Sequence, residues 1–407
     1  MTRAWLIVAL LWVVALLNYL DRLMITTMHD SLVAAIPMNE KQFGLLTSVF
    51  AWVYGVLSPF AGFLADRFSR SRVILVSLFV WSGMTWLTGH VKTFEQLITV
   101  RALMGISEAA YIPAELALIS DYHRGGTRSL ATGIHMTGIS VGTGLGWLGG
   151  WLAKRHEWNF AFTLFGLIGL GYALVLMFTL RDAPAAEERN AQSSRGTNFI
   201  EAVATLLRNR SFLRMLVYWG LLGLTGWAVM GWMPIYFKER YHLPEDIAGI
   251  YATAYLPAAM LVGYIIGGAW ADRWSTTNSR ARILVPAIGL CISAPGLILL
   301  SQTGVLVVGV IGLIIHGMTR AFTDANMMPA LCLVSDPRYR ATGYGMLNLC
   351  SCVVGGTAPY LGGVLRDAKV NLSVLYLVAA LTMFVCAAVM FSVKPTKTDA
   401  DGMSSAT

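Results

Sequence analysis

Three charged residues recur at intervals of seven inside one apolar stretch, residues 99–121. They are Arg101, Glu108 and Glu115. An α-helix turns once every 3.6 residues, so a step of seven drifts by only about 20°, and the three side chains should project from nearly one face. A charge that faces acyl chains is costly, and such residues usually face a protein interior or a wet cavity. The spacing therefore predicts a polar path lined by an apolar helix, suited to binding ions or protons.

A second group of polar residues lies at residues 18–22, in the sequence NYLDR. Adjacent residues on a helix point about 100° apart, so Asp21 and Arg22 cannot simply neutralise each other across one face. Each needs a different partner. The simpler interpretation is that both are solvated at the end of a helix, but the apolar residues 23–27 beyond them favour a buried pair.

The elements that must position these charges are membrane-spanning helices. Of the 407 residues, 56% are hydrophobic and only 13% are charged, whereas soluble domains carry roughly 25% charged residues. The first apolar stretch is predicted to be a retained span, because no small-residue cleavage site follows it. The sequence predicts an all-α polytopic membrane protein with about twelve spans, near residues 5–28, 43–65, 73–90, 94–119, 129–151, 158–180, 212–237, 247–270, 282–300, 304–333, 341–365 and 373–393.

Basic residues concentrate in alternate loops. Arginines cluster near residues 67–72, 124–128, 181–214, 273–282 and 338–340, whereas the other loops carry scattered Lys and Arg. The positive-inside rule predicts that the arginine-rich loops and both termini are cytoplasmic, in what we expect to be a bacterial inner membrane. The clusters are short and adjoin spans, so they do not indicate nucleic-acid binding. The five cysteines lie in apolar stretches and indicate core residues, not disulfides or a metal site.

The two halves of the sequence repeat each other. GFLADRFS, which contains Asp66, recurs as GAWADRWS, which contains Asp272, about half the chain later. Residues 112–121, which contain Pro113, recur around Pro329, and aligning the prolines places Glu108 opposite Asp324. This repetition predicts two pseudo-symmetric six-helix bundles at 1–182 and 211–394, joined by a polar cytoplasmic linker at 183–210 and followed by a tail at 395–407.

Proline and glycine predict where these helices bend and pack. Pro113 and Pro329 each remove one helical hydrogen bond, which would give either a hinge for a conformational cycle or a static kink. The fifth span is rich in glycine from Gly133 to Gly150, and the eleventh from Gly343 to Gly363. Small residues let helix backbones approach closely in a membrane, so we interpret most of these glycines as packing residues.

Together, the twelve spans and the repeated loop resemble the major facilitator superfamily. Its signature loop reads Gly-x-x-x-Asp-Arg-x-Gly-Arg-Arg; Gly62, Asp66, Arg67 and Arg70 match, whereas Ser69 and Ser71 depart from it. In that family the loop latches the cytoplasmic ends of the two halves. The resemblance therefore implies gating roles for five residues: Asp66, Arg67, Arg70, Asp272 and Arg273.

A narrower resemblance concerns substrate and coupling. Residues 18–22, Arg101 with the following GISEA, and WMPIY at 232–236 resemble the anion:cation symporters, which include sialin and hexuronate carriers. Spinster-type lysolipid carriers share much of this pattern. In the symporters the first-span arginine grips an organic anion, and the first-span aspartate and fourth-span glutamate couple protons. The resemblance implies these roles for Arg22, Asp21 and Glu108.

Other charged and polar residues within spans are weaker candidates. Arg101 is either a second substrate contact or a structural partner, and Glu115 is either a gate ion pair or a coupling residue. Asp324 could repel an anion, accept a hydroxyl or amine, or bind a second cation. Asn348 resembles a residue of the anion carriers. Tyr19, within NYLDR, is a further substrate-binding candidate, and the charge of Arg320 favours a functional role for it. The remaining candidates, any of which could instead be a packed interior group, are Tyr54, His135, Tyr255, His316 and Asn326.

These observations predict a secondary transporter that imports a small organic anion with protons by alternating access, with Na⁺ as the alternative coupling ion. A Spinster-type carrier of amphiphilic lipids is the second possibility, and a sensor that binds without transport is the third. The sequence has no Ser/His/Asp or metal-binding pattern of an enzyme. We expect a monomer in the lipid bilayer, without a cofactor or a nucleic-acid partner.

Overall fold

A computed structural model describes residues 2–183, 198–243, 245–358 and 371–395, and every regular element in these ranges is a helix. Short 3-10 helices at Ile25–Met28 and Pro337–Tyr339 join α-helices. The first nine α-helices are α1 Thr2–Met24, α2 His29–Ala35, α3 Glu40–Arg67, α4 Arg70–Thr88, α5 Phe94–Glu108, α6 Tyr111–Tyr122, α7 Arg128–Gly144, α8 Trp147–Arg155 and α9 Trp158–Thr179.

Seven further α-helices follow within the described residues. The predicted linker lies only partly within them, because residues 184–197 are outside the described ranges, and so is the tail from residue 396. The further helices are α10 Phe199–Arg208, α11 Arg210–Tyr241, α12 Glu245–Ser275, α13 Ala281–Gln302, α14 Leu306–Val334, α15 Arg340–Gly355 and α16 Leu372–Phe391.

Two compact units contain these helices. The first comprises Met1–Tyr122, Gly138–Ala202 and Arg338–Gly345, and one of its apolar clusters joins Met24 and Ile25 to Leu97 and Phe162. The second comprises His123–Thr137, Val203–Pro337 and Met346–Thr407. The first turns of α15 therefore belong to the first unit and its remainder to the second. Conversely, the first turns of α7 belong to the second unit and its remainder to the first.

Local sequence signals fix several helix starts. At α3, Asn39 and Gln42 form a reciprocal capping box, with both N–H to side-chain oxygen distances at 2.9 Å. Ser69 caps α4 and Thr93 caps α5 through their hydroxyl oxygens. These side chains accept hydrogen bonds from N–H groups that the first helical turn leaves free.

Ten helical segments among the described residues are long and apolar enough to cross a membrane. They correspond to ten of the predicted spans, and the chain is an integral multi-pass membrane protein. The predicted fifth span is divided into α7 and α8, since the helix ends at Gly144 and resumes at Trp147. The predicted eleventh span is described in part. Helix α15 ends at Gly355, and residues 359–370, which include Gly362 and Gly363, lie outside the described residues.

The fourth span differs from the expected continuous helix. Helix α5 ends at Glu108 and α6 begins at Tyr111, so Glu115 does not share one uninterrupted helix face with Arg101 and Glu108. Pro113 contributes to this break, because it has no N–H to donate to the carbonyl of Ala109. The equivalent Pro329 lies inside α14, which remains continuous.

Glycines allow close helix contacts, as expected for most of them. A Cβ at Gly138 would lie 2.6 Å from the carbonyl oxygen of Trp12, so this part of α7 packs directly on α1. A Cβ at Gly105 would lie 2.9 Å from the carbonyl oxygen of Phe50. Gly105 thereby brings α5, with its charged residues, against α3.

Candidate substrate and coupling site

An ion pair between Arg22 and Glu108 is the centre of the candidate site in the first unit. Nη2 of Arg22, at the end of α1, donates to Oε2 of Glu108, at the end of α5, over 2.8 Å. The Glu108 side chain is fully buried, whereas that of Arg22 is 17% exposed. Arg22 also donates to Oδ1 of Asn18 over 3.5 Å. The pair therefore has one accessible member, the cation.

Three aromatic rings surround the Arg22 guanidinium. Its Cζ lies 4.7 Å from the ring centroids of Tyr19 and Phe50 and 4.8 Å from that of Tyr54. A guanidinium is attracted to the face of an aromatic ring, and the attraction is worth more where water is excluded. We call Tyr19, Phe50 and Tyr54 the aromatic cage. It holds the cation in place and gives it an apolar wall.

Asp21 takes a different partner, as predicted from its position beside Arg22. Its Oδ2 accepts a hydrogen bond of 3.2 Å from Oγ1 of Thr85 on α4. Asp21 is buried, and its Oδ1 lies among the buried atoms without a hydrogen bond. A buried carboxyl oxygen without a donor is unfavourable when the group is ionised. The position suits a group that takes up and releases a proton.

Arg101 lies close to this centre. It is only 2% exposed, and its Nη1 donates to the sulfur of Met104 over 3.4 Å. Its Cζ lies 5.0 Å from the centroid of Phe50, so one ring contacts both Arg101 and Arg22. Among the described ion pairs Arg101 is absent, and the carboxylate of Glu108 is paired with Arg22. A buried guanidinium with so weak a partner suits binding an anion or water.

Sequence reasoning missed two residues of this centre. Phe50 precedes Tyr54 by four residues on α3, so the two rings share a helix face, and they stack with centroids 5.9 Å apart. That spacing could have identified Phe50. Thr85 had no such signal, because a threonine in an apolar helix usually bonds to its own backbone.

The second unit places Arg320 and Asp324 together. Nη1 of Arg320 donates to Oδ2 of Asp324 over 2.7 Å, and the side chains are 16% and 17% exposed. This pair lies within one turn of α14, whereas its sequence counterpart Glu108 pairs across helices. The candidates His135 on α7 and Asn348 on α15 also belong to this unit, and His135 is fully buried.

Of three weaker candidates, two are hydrogen-bonded interior side chains and the third is exposed. The ring of His316 is bonded to Oγ of Ser293 at 2.8 Å. Nδ2 of Asn326 donates to the carbonyl oxygens of Gly267 and Phe322. Tyr255 is 37% exposed. In the described part of the chain, no three His, Cys, Asp or Glu side chains are grouped to hold a metal ion.

Asp66, a predicted gating residue, caps the start of α15 within the first unit. It accepts hydrogen bonds from N of Ala341 at 3.0 Å and from N and Oγ1 of Thr342 at 2.7 and 2.8 Å. Arg70 donates to Asp66 over 3.2 Å, and also pairs with Asp121 and bonds to the carbonyl oxygen of Ala117. The carboxylate lies where free N–H groups and the helix dipole favour negative charge.

Asp272 repeats this arrangement at the start of α7 within the second unit. It accepts from N of Ser129 at 3.0 Å and from N of Leu130 at 2.7 Å. Its cation is Arg282, whose Nη2 lies 2.8 Å from Oδ1 and also donates to the carbonyl oxygen of Gly125 over 2.6 Å. Asp66 and Asp272 thus both cap the start of a helix, although the arginines that pair with them come from different sequence positions.

The remaining predicted gating residues occupy different environments. Arg67 and Arg273, which directly follow the two aspartates, are exposed. Glu115 is fully buried within α6, beyond the break that separates it from Glu108. The structure thus separates Glu115 from the Arg22 centre along the span, and its expected gating role stays a prediction.

Comparisons with known proteins agree with this architecture. The sequence profile described as Major Facilitator Superfamily matches residues 11–359. The chain is 28% identical over 380 residues to protein spinster of Drosophila melanogaster, covering 89% of this chain but only 62% of that protein. It is 27% identical over 377 residues to the sphingosine-1-phosphate transporter SPNS2 of Mus musculus, covering 86% and 68% of the two chains. These relatives favour the Spinster-type alternative over the anion:cation symporters.

Among solved structures, a variant of the E. coli fucose:proton symporter matches with a TM-score of 0.80 at 16% identity, over 96% of this chain and 98% of that one.

Proposed function

The chain belongs to the Major Facilitator Superfamily, a family of membrane transporters and not of enzymes, and within it we propose that the chain carries a single-chain anionic lipid. Lysophospholipids and sphingoid phosphates are the expected class. The proposal corrects the emphasis of the sequence prediction, which placed small organic anions first. Its support is the likeness to Spinster-type relatives over most of the chain together with the surroundings of Arg22.

The observation that carries the proposal is the aromatic cage around a partly exposed cation. Arg22 can pair with a phosphate or carboxylate in bidentate geometry, and the rings of Tyr19, Phe50 and Tyr54 place apolar surface directly beside it. A lysolipid has both features, an anionic group and an adjoining apolar chain. A small sugar acid would use the cation but would leave the apolar wall without a partner.

Proton coupling follows from competition for Arg22. When a substrate anion takes the guanidinium, Glu108 loses the partner that lies 2.8 Å away and stays buried. A buried carboxylate without a cation is costly, so proton uptake by Glu108 would accompany substrate binding. Asp21, which accepts a hydrogen bond from Thr85, is a second proton acceptor at the same centre. We propose H⁺ as the coupling ion, with Na⁺ as the alternative.

Transport in proteoliposomes tests the substrate class. Purified protein would be assayed with radiolabelled lysophospholipid, sphingoid phosphate and glucuronate, with protein-free liposomes as the background. We expect transport of a lipid substrate, lost in Arg22→Ala and kept in Arg208→Gln, whose exposed side chain lies on α10. Accumulation of glucuronate without lipid transport would instead establish the small-anion carrier. Saturable binding of either class without flux would identify a sensor.

The coupling ion is tested with Glu108→Gln, which keeps the side-chain shape but cannot ionise. We expect loss of pH-driven accumulation and retention of substrate exchange, because exchange needs no net proton movement. Glu95→Gln on the same helix is the matched control, since Glu95 is exposed. Unchanged pH-driven accumulation in Glu108→Gln would refute the assignment, and loss of transport when choline replaces Na⁺ would favour sodium.

A further inference from the structure

A groove on the outside of the first unit lies apart from the Arg22 centre. It has a volume of about 590 Å³ and runs along α4, between the end of α3 and helix α5. We call it the outer groove. Its lining residues are apolar apart from Arg72 and three serines, and they include Leu64, Phe68, Ser69, Arg72, Val76 and Ile106.

The walls of the outer groove suit an acyl chain. Val76 is 63% exposed and Ile106 is 50% exposed, and both lie in segments long and apolar enough to cross a membrane. Two polar residues, Ser77 and Ser107, lie in the middle of the groove. Ser77 donates its hydroxyl to the carbonyl oxygen of Ser107, and Ser107 donates its hydroxyl to that of Met104. Both hydroxyl hydrogens are therefore already used, and the groove offers an apolar chain a surface that needs no water.

Charge distinguishes the two ends of the outer groove. Arg72 at one end is exposed, and no ion pair or side-chain hydrogen bond of its guanidinium occurs among the described residues. This contrasts with Arg70, two residues earlier, which is buried between Asp66 and Asp121. At the opposite end, an adjoining cavity of about 490 Å³ shares Leu103 and is lined by Glu95. An anionic headgroup would be attracted to the Arg72 end and repelled from the other.

We propose that the outer groove binds one anionic phospholipid of the surrounding bilayer, with its phosphate on Arg72 and one acyl chain along α4. From Arg72 to Met84 the helix rises about 18 Å, enough to hold much of one chain. The Arg72 end is the end that the positive-inside rule predicts to be cytoplasmic, so the lipid belongs to that leaflet. It is a bound membrane lipid and not the transported substrate.

Photo-crosslinking tests this site independently of transport. The full chain would be reconstituted in nanodiscs with phosphatidylglycerol that carries a diazirine on its acyl chain, and labelled peptides would be mapped by mass spectrometry. Both lipids carry a phosphate, but only phosphatidylglycerol has a net negative charge, because the choline of phosphatidylcholine neutralises its phosphate. An exposed charge pair contributes up to about 1 kcal/mol, so we expect about fivefold more labelling of α4 and α5 by phosphatidylglycerol than by the matching phosphatidylcholine. Arg72→Gln should remove the difference, and Arg208→Gln should keep it.

The exposed outer face of α9, around Phe178, reports ordinary lipid contact. Ile106→Trp fills the groove and should lower labelling there without changing labelling near Phe178. Size-exclusion chromatography would verify that each variant is folded, and Arg72→Gln alters only an exposed side chain. Equal labelling of the groove and of α9, or equal labelling by the two lipids, would overturn the proposal. An Arg72→Gln variant that labels like the parent protein would do so as well.

Discussion

Arg22 satisfies two opposing requirements, because it must be held firmly and still be available to a ligand. The aromatic cage holds the guanidinium, and Glu108 neutralises it from the buried side. Its remaining exposure leaves room for a second anion. In a cavity of low polarity the two anions cannot both be ionised at one cation without cost, so their competition converts binding into proton movement.

The free energy of burying the Glu108 carboxylate depends on its cation, Arg22. Arg22→Met leaves a buried carboxylate without its cation, and we expect the free energy of unfolding to fall by about 3 kcal/mol. Arg22→Met combined with Glu108→Gln removes both charges and should recover most of that loss, although transport stays absent. Denaturant unfolding in detergent, followed by tryptophan fluorescence, measures both quantities.

Arg155 provides the matched control for this experiment. Its Cζ lies 4.0 Å from the ring centroid of Trp151, so it also contacts an aromatic face, but its side chain is exposed. Arg155→Met should change the free energy of unfolding by no more than about 1 kcal/mol. If the double variant is as unstable as Arg22→Met alone, the loss comes from packing of the arginine and not from the unpaired carboxylate.

At the scale of elements, the interruption between α5 and α6 divides one span into two parts with different charged residues. The part that ends at Glu108 carries the ion pair, and the part that begins at Tyr111 carries Glu115. If Pro113 acts as a hinge and not as a static kink, one part can reorient without moving the other by the same amount. Pro113 contributes to the break by leaving the Ala109 carbonyl without its helical donor.

Pro113→Ala should close this interruption. Alanine supplies the N–H that the Ala109 carbonyl lacks, and it is favoured over proline in a helix interior by about 3 kcal/mol. We expect slower amide hydrogen exchange at residues 109–114 and a lower transport rate at unchanged substrate affinity. Pro329→Ala is the control, because α14 is already continuous, and it should leave exchange in its segment nearly unchanged. Equal effects of the two substitutions would contradict the hinge interpretation.

Features of the fold and the site that depend on local sequence could be predicted, whereas those that depend on tertiary packing could not. Composition and spacing are local, so the apolar spans, the repeated aspartates and the need of Arg22 for a partner were all predictable. The partner itself was not, because Glu108 lies 86 residues away and only tertiary packing brings it to Arg22. Nor could the sequence distinguish Pro113 from Pro329, which have similar neighbours but lie in a broken and a continuous helix.

At the scale of the whole molecule, Asp66 and Asp272 cap helix starts in the same way but pair with differently placed arginines. Each carboxylate accepts hydrogen bonds from two backbone N–H groups at the start of a helix. Arg70 beside Asp66 also pairs with Asp121, whereas Arg282 has Asp272 as its carboxylate partner in the described structure. The two sites should therefore tolerate loss of charge unequally.

We predict that Asp272→Asn destabilises the protein more than Asp66→Asn. Asparagine keeps an oxygen for the helix N–H groups, so Asp66→Asn should cost about 1 kcal/mol, since Arg70 retains Asp121. Asp272→Asn leaves Arg282 buried without a carboxylate and should cost about 3 kcal/mol. Denaturant unfolding compares the two variants, and adding Arg282→Gln to Asp272→Asn should restore most of the loss. The reverse order of stability, or no recovery in that double variant, would show that the helix caps and not the ion pairs determine the cost.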